Sequence, residues 1–416
     1  MLPPVLETYV VWHPDDHAGA RAAHQLVEHV HGTLFTGLIG GAIEVYVRHH
    51  GWRGTGDAPR PIPVPGSPPP NGVAQAQYVA VVPVLGVALA RAVQPGRGAW
   101  FDYLTALAAA HETSARRVRI FPLLLADSAA LRGSTLDRIL GRYQRLGGSL
   151  PATGEGPDTG WRRDLIQGLA QFTGQAGSRL QVFISHTRQG IEDGAGVAEL
   201  TQTVRAVIAG TRLAEFFDPR DLQAGQQWRQ ALRENAGRSA LLALRTDLYA
   251  SRGACQWEVL AAKEEGAPVV ILDALERGEE RGSFLMDHVP RVPVRRGERG
   301  WSEGDVAAGL AVLVDECLKR ALWERQRELA LGRSDLDVVW WAPHAPEPLT
   351  LARWLVQQLQ QRGVGALAGT GPLRILHPDP PLGAPERLVL DQLARLSGIT
   401  RELDVMTPRL LAARGG

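Results

Sequence analysis

The sequence predicts an α/β protein built on doubly wound parallel sheets, and three observations carry that prediction. Short apolar runs alternate along the chain with segments whose apolar residues recur every three or four positions, the patterns of strand and helix in turn. The strand runs are largely apolar, as at 78–85 and, apart from Arg119, at 118–125, which suits strands covered on both faces of a parallel sheet. At 416 residues the chain exceeds one ordinary domain of roughly 100–200 residues, so two or three such units are expected.

The first unit, 1–150, opens with a strand at 9–12 and a polar cluster at 13–16, then a helix through Ala22, Leu26 and Val30. Residues 53–72 are rich in Pro and Gly and read as loop. A buried strand follows at 78–85, with Pro83 marking where pairing should stop because proline has no N–H. Residues 100–111 read as helix and 118–125 as a further strand. Residues 151–177 form a linker rich in Gly, Pro and Thr, with one short amphipathic stretch at 161–172.

The second unit, 178–332, has strands at 180–185, 213–217, 240–244 and 269–272, with a fifth at 292–294. Between them Val197, Leu200, Val204, Val207 and Ile208 share one helical face, 228–236 reads as helix, and a helix over 255–265 is closed by Gly266. A long helical stretch covers 305–331. The third unit, 333–416, restarts with a strand at 338–341, a helix at 349–361, a strand at 373–376 and a helix at 386–396, about half a doubly wound domain. The openings resemble one another: Val10-Val11-Trp12-His13-Pro14, Val182-Phe183-Ile184-Ser185-His186 and Val338-Val339-Trp340-Trp341-Ala342-Pro343 each lead from strand toward helix. The chain therefore reads as three related units, the last partial.

Composition narrows the function classes. A net charge of +1 implies no general affinity for polyanions, and no basic run interleaved with aromatics points to nucleic acid. Cys255 and Cys317, the only cysteines, could not staple a chain of this size, so a reducing cytoplasm is expected. The opening residues are not expected to act as a secretory signal, and no apolar run reaches the roughly 20 residues needed to span a bilayer.

Three blocks of the second unit carry the chemistry. Val182-Phe183-Ile184-Ser185-His186-Thr187 is a strand ending in a serine-bearing loop. Phe217-Asp218-Pro219-Arg220-Asp221-Leu222-Gln223-Ala224-Gly225 is a second strand-end loop, continued by Trp228 and Leu232. Tyr249-Ala250-Ser251-Arg252-Gly253-Ala254-Cys255-Gln256-Trp257-Glu258 is the third. In order and spacing these resemble the boxes of the Toll/interleukin-1 receptor (TIR) family, over about a third of the chain. Ala224 stands where that family often has Pro, and Ala254 where it usually has Trp.

The resemblance implies a flavodoxin-like TIR fold over 178–332, flanked by a TIR-like unit and a partial third unit. It places Glu258 at the glutamate of the NAD-cleaving members, which release nicotinamide with ADP-ribose or a cyclised isomer. Ligands of open parallel sheets bind beyond the carboxyl ends of the strands, and all three blocks follow such ends. Ser185, His186, Phe217, Arg220 and Trp257 are accordingly the candidate substrate-binding residues. Asp221, Leu222 and Gly225 form the loop expected to gate the site or to self-associate. Glu258 is expected in the first turn of its helix, where the dipole favours a carboxylate.

The chemistry suits one carboxylate. Breaking the nicotinamide–ribose bond releases a neutral leaving group from a cation, so no general acid is needed, whereas ordinary glycosidases use two carboxylates. The charge that develops is an oxocarbenium on the ribose, which a fixed carboxylate stabilises. The resemblance thus implies an NAD glycohydrolase or cyclase with NAD as substrate and no cofactor. It implies activation by self-association through TIR domains, and a role in bacterial antiphage defence beside an operon-encoded sensor protein. The alternative, a non-enzymatic scaffold recruiting partners by TIR–TIR contacts, uses the same fold.

In the first unit, Arg97-Gly98-Ala99-Trp100-Phe101-Asp102-Tyr103 parallels Arg252-Gly253-Ala254-Cys255-Gln256-Trp257-Glu258. Tyr103 then occupies the glutamate position, with Asp102 one residue away, about 100° around a helix. This unit is expected to be a degenerate module that senses or oligomerises. His13-Pro14-Asp15-Asp16-His17 resembles the metal box of zinc-dependent sugar deacetylases, but His17 replaces its glutamate and no H-x-x-H partner follows, so no metal site is expected. No phosphate-binding P-loop, G-x-S-x-G elbow or H-E-x-x-H helix occurs.

Overall fold

The computed structural model describes residues 4–32, 35, 42–51, 58–65, 75–124, 131–143, 145–146, 160–174, 181–187, 194–211, 239–279, 281–331, 338–363, 367 and 369–414. It is an α/β protein of parallel sheets flanked by helices, in two compact units: 1–177 with 324–329, and 178–323 with 330–416.

The first unit contains β1 (Leu6–Val11), α1 (His17–Val30), β2 (Ile43–Arg48), β3 (Tyr78–Leu85), α2 (Val87–Val93) and α3 (Ala99–Thr113). It continues with β4 (Val118–Ile120), β5 (Leu123–Leu124), α4 (Thr135–Leu140) and α5 (Gly160–Thr173). The order β2-β1-β3-β4, all parallel, reverses direction between β1 and β3, which is the doubly wound arrangement. Helix α1 buries Gly19, Ala22, Ala23, Leu26 and Val30, a single stripe at helical spacing.

Two sequence expectations are corrected here. Pairing does not stop at Pro83: β3 runs on to Leu85, with Pro83 opposite Val11 and Val84–Leu85 paired with β5. Val79 N donates to Arg117 O and Val81 O accepts from Phe121 N, so alternate residues of β3 face β4. The missing N–H of Pro83 therefore falls at the break between β4 and β5. That break also divides the single strand expected at 118–125, because Pro122 interrupts it.

The second unit contains β6 (Gln181–Ser185), α6 (Gly194–Ala209), β7 (Ser239–Arg245), α7 (Gly253–Glu264), β8 (Val269–Asp273) and β9 (Arg291–Pro293). A short hairpin, β10 (Arg296–Gly297) with β11 (Gly300–Trp301), leads into α8 (Glu303–Leu331). Strands β6 to β9 pair in parallel in sequence order among the described residues. The strand expected at 213–217 and the helix at 228–236 lie outside the described residues.

The chain ends in a three-stranded parallel sheet, β12 (Trp340–Trp341), β13 (Leu373–Leu376) and β14 (Leu403–Met406), with α9 (Pro348–Arg362), α10 (Ala384–Leu396) and α11 (Pro408–Arg414). Strand β14 is not anticipated from the sequence. Leu351, Leu355, Leu373, Ile375 and Leu390 form the core of this portion, and Leu349 packs against the core of the β6–β9 sheet. Among the described residues no helix is long and apolar enough to cross a membrane.

Candidate active site

The site is built by two strand ends and one helix. Ser185 is the last residue of β6, in register with Ala243 of β7, and is buried. Beyond β7 the turn at 246–252 folds back, with Tyr249 N donating to Thr246 O at 2.9 Å and Arg252 N to Tyr249 O at 3.1 Å. Gln256 Nε2 fastens the turn to α7 through Ala250 O at 2.6 Å. The turn carries the Tyr249 side chain fully inside. Helix α7 presents Cys255, Val259 and Ala262 to the sheet at i, i+4 and i+7, which places Glu258 beside Ser185 at the rim of that face.

These residues form a hydrogen-bonded chain. Ser185 Oγ donates to Glu258 Oε2 at 2.5 Å, and Ser185 Oγ lies 2.6 Å from the Tyr249 hydroxyl. A serine hydroxyl has one proton. With that proton directed at the carboxylate, Tyr249 must be the donor to Ser185, and the order is Tyr249 to Ser185 to Glu258. Burial, then Cys255 and Glu258 nearby, raise the Tyr249 phenol well above its ordinary range, so it keeps its proton and remains a donor. Burial, with Glu258 second, pushes the Cys255 thiol up to about 12, which removes it as a nucleophile near neutral pH.

The expected helix-start setting of Glu258 is corrected. Helix α7 begins at Gly253, no acidic residue falls in its first turn, and the dipole's influence fades within that turn. The carboxylate is held by the Ser185 hydroxyl instead. At and just past the end of β7, Arg245 joins Glu279 at 2.8 Å and Asp273 at 3.3 Å, and Asp247 accepts from the backbone of Glu276, Arg277 and Gly278.

Of the residues proposed from sequence, the structure brings Ser185 to Glu258. His186 follows Ser185 and is half-buried; its Nδ1 donates to Thr187 O at 3.0 Å. Trp257 is not brought to the Ser185–Glu258 pair. It is 55% exposed and lines a groove with Leu260 and Ala261 of α7 and Leu349, Ala352 and Val356 of α9. One helix step separates it from Glu258, about 100° of rotation. Phe217, Arg220, Asp221, Leu222 and Gly225 lie outside the described residues. Tyr249 was not singled out from the sequence as a site residue. Its position at the start of the third block was the available signal.

In the first unit, Tyr103 donates its hydroxyl to Arg60 O at 3.4 Å and sets its ring edge-on to Trp100, while Asp102 is exposed. Asp16 is occupied structurally: its carboxylate accepts from Ala88 N and Leu89 N at 3.2 Å each and so caps α2, against the bare Cα of Gly86, where a Cβ would lie 2.4 Å from it. Among the described residues no group of three or more His, Cys, Asp or Glu is arranged to hold a metal. No protein family and no curated protein matches this chain.

Proposed function

We propose that the second unit is a TIR domain that cleaves NAD at the nicotinamide–ribose bond, with Glu258 stabilising the ribose cation. The observation that carries this reading is the Glu258 carboxylate held by Ser185 at the carboxyl edge of a parallel sheet, where such sheets take their ligands. The C1′–N bond breaks with its electron pair leaving on the nicotinamide nitrogen, which becomes neutral. Water, or a nucleophile of the same dinucleotide, adds to C1′ and yields ADP-ribose or its cyclic isomer, releasing a proton. The charge on C1′ is greatest at the transition state, so a carboxylate already oriented by Ser185 favours that state over the ground state.

In this reading the protein is a cytoplasmic effector of bacterial antiphage defence, activated by self-association, with NAD as substrate and no cofactor. An operon-encoded sensor is a fitting partner. The test is release of nicotinamide from NAD by the purified chain, alone and with forced clustering. Glu258→Gln is expected to lower kcat about 100-fold or more. Equal nicotinamide release by wild type and Glu258→Gln, clustered as well as free, would remove the enzyme reading and leave the non-enzymatic TIR scaffold.

A further inference from the structure

Helix α7, which carries Glu258, is gripped at both ends by different parts of the chain. Its first half packs on the sheet through Cys255 and Val259 and meets the Tyr249–Ser185 chain. Its second half is held by the segment 343–353. Gly266, at φ 66° just past the helix, lies so close to Pro343 that a Cβ there would stand 2.6 Å from the proline Cβ. His344 Nε2 is 3.2 Å from Lys263 O, and Arg353 pairs with Glu264 at 3.0 Å.

Between these contacts lies a buried ion pair. Lys263 Nζ donates to Glu347 Oε1 at 2.7 Å, to Glu347 Oε2 at 2.9 Å and to Asp287 O at 2.6 Å. The lysine side chain is 4% exposed and that of Glu347 9%. Glu347 is also the N-cap residue of α9, its backbone N–H donating to Thr350 Oγ1 at 2.9 Å. Three ammonium protons thus meet three acceptors, a fit for a compact point charge and not for a planar guanidinium. Lysine is used only twice in this arginine-rich chain, at 263 and 319, and one of the two stands here. Burial pulls the Lys263 ammonium below its ordinary range, and Glu347 opposes that pull.

Buried ion pairs contribute little net stability compared with an apolar pair of the same shape, but they are demanding of geometry. We propose that the Lys263–Glu347 pair is a positioning device: it sets the rotation and axial register of α7 from the C-terminal segment, and so sets where the Glu258 carboxylate stands relative to Ser185. The inference rests on the reading of Glu258 as the group that acts on substrate, and it makes the C-terminal segment part of the working site. Lys263 and Glu347 act through α7 and touch no substrate.

The test uses the full chain with three changes: Lys263→Met/Glu347→Leu, Glu347→Gln, and Lys263→Arg. Thermal unfolding, amide hydrogen exchange over 255–262, the NMR resonances of the Tyr249 ring, and kcat and KM for nicotinamide release are measured. The apolar double variant is expected to melt within about 5 °C of wild type. It should nonetheless shift the Tyr249 resonances, speed exchange in α7 about tenfold, and lower kcat roughly 10–100-fold with KM changed much less, the signature of a misplaced group. Lys263→Arg, which keeps the charge and loses the socket, should behave alike. Wild-type exchange, resonances and kcat in the double variant and in Lys263→Arg would overturn the proposal. Should the double variant not fold, Glu347→Gln, which keeps the cap and the shape, decides on the same readouts. Should wild type release no nicotinamide even when clustered, the enzyme reading fails separately. Exchange and the Tyr249 resonances then still report whether the pair positions α7.

Discussion

Replacing Ser185 by alanine removes the one hydroxyl that joins Tyr249 to Glu258. The consequences differ at its two ends. Tyr249 is fully buried, so its hydroxyl loses a partner and gains no water, at a cost of about 1–3 kcal/mol. Glu258 is only partly buried, so water replaces much of the charge-assisted bond that would otherwise contribute about 1.5–3 kcal/mol. The expected total is about 2–4 kcal/mol, a fall in Tm of about 5–15 °C for a unit of this size. Tyr249→Phe alone removes a donor without stranding a polar atom and should cost about 1 kcal/mol. In Ser185→Ala/Tyr249→Phe the stranded hydroxyl is gone, so the double change should cost about 1–2 kcal/mol less than the sum of the singles. Urea unfolding of the four proteins gives this coupling directly. Additive effects, with a coupling inside about 0.3 kcal/mol, would refute the hydrogen-bond chain, because unconnected sites add.

Other outcomes follow from the same physics. Burial lowers the His377 imidazole to about 4 from its ordinary 6.5 while the residue is wholly enclosed. The unfolded chain then binds the proton more readily below 6.5, so stability falls as pH drops from there toward 4, by about 3 kcal/mol in all. Urea unfolding at stepped pH should show that slope, and His377→Leu should lose it; an unchanged slope in the variant contradicts the assignment. Cys255, with its thiol pushed up to about 12, should react with thiol reagents at pH 8 about a thousandfold more slowly in the native protein than after unfolding, read by a colorimetric thiol titration. Asp16→Ala strips two acceptors from the start of α2 and should destabilise the first unit by about 1–2 kcal/mol. A wild-type Tm that rises with added zinc would instead favour the metal box.

Much of the architecture was legible in the residue order because periodicity records which face of an element is buried. Ala22, Leu26 and Val30 lie on the buried stripe of α1, and the uniform apolar runs at 78–85 and 240–244 are strands covered on both sides. The pairing of Ser185 with Glu258 was legible for a related reason: strand ends of a parallel sheet share one edge, so residues just past them meet. What periodicity does not record is the identity of the neighbour across a face. Trp257 looked like a pocket wall beside Glu258, yet one helix step turns it toward α9. Tyr249 and its donor role depend on a turn that folds back on β6, which no spacing along the chain expresses. Lys263 and Glu347 stand 84 residues apart and form an ion pair only because α9 docks on α7. Pro83 breaks no ladder because its missing N–H happens to face the gap at Pro122. Which stretches form strands and which helix faces turn inward is written in the order of residues, whereas the partner each side chain meets is fixed only in three dimensions, since hydrogen bonds and ion pairs form over a few ångströms of space and not over intervals of sequence.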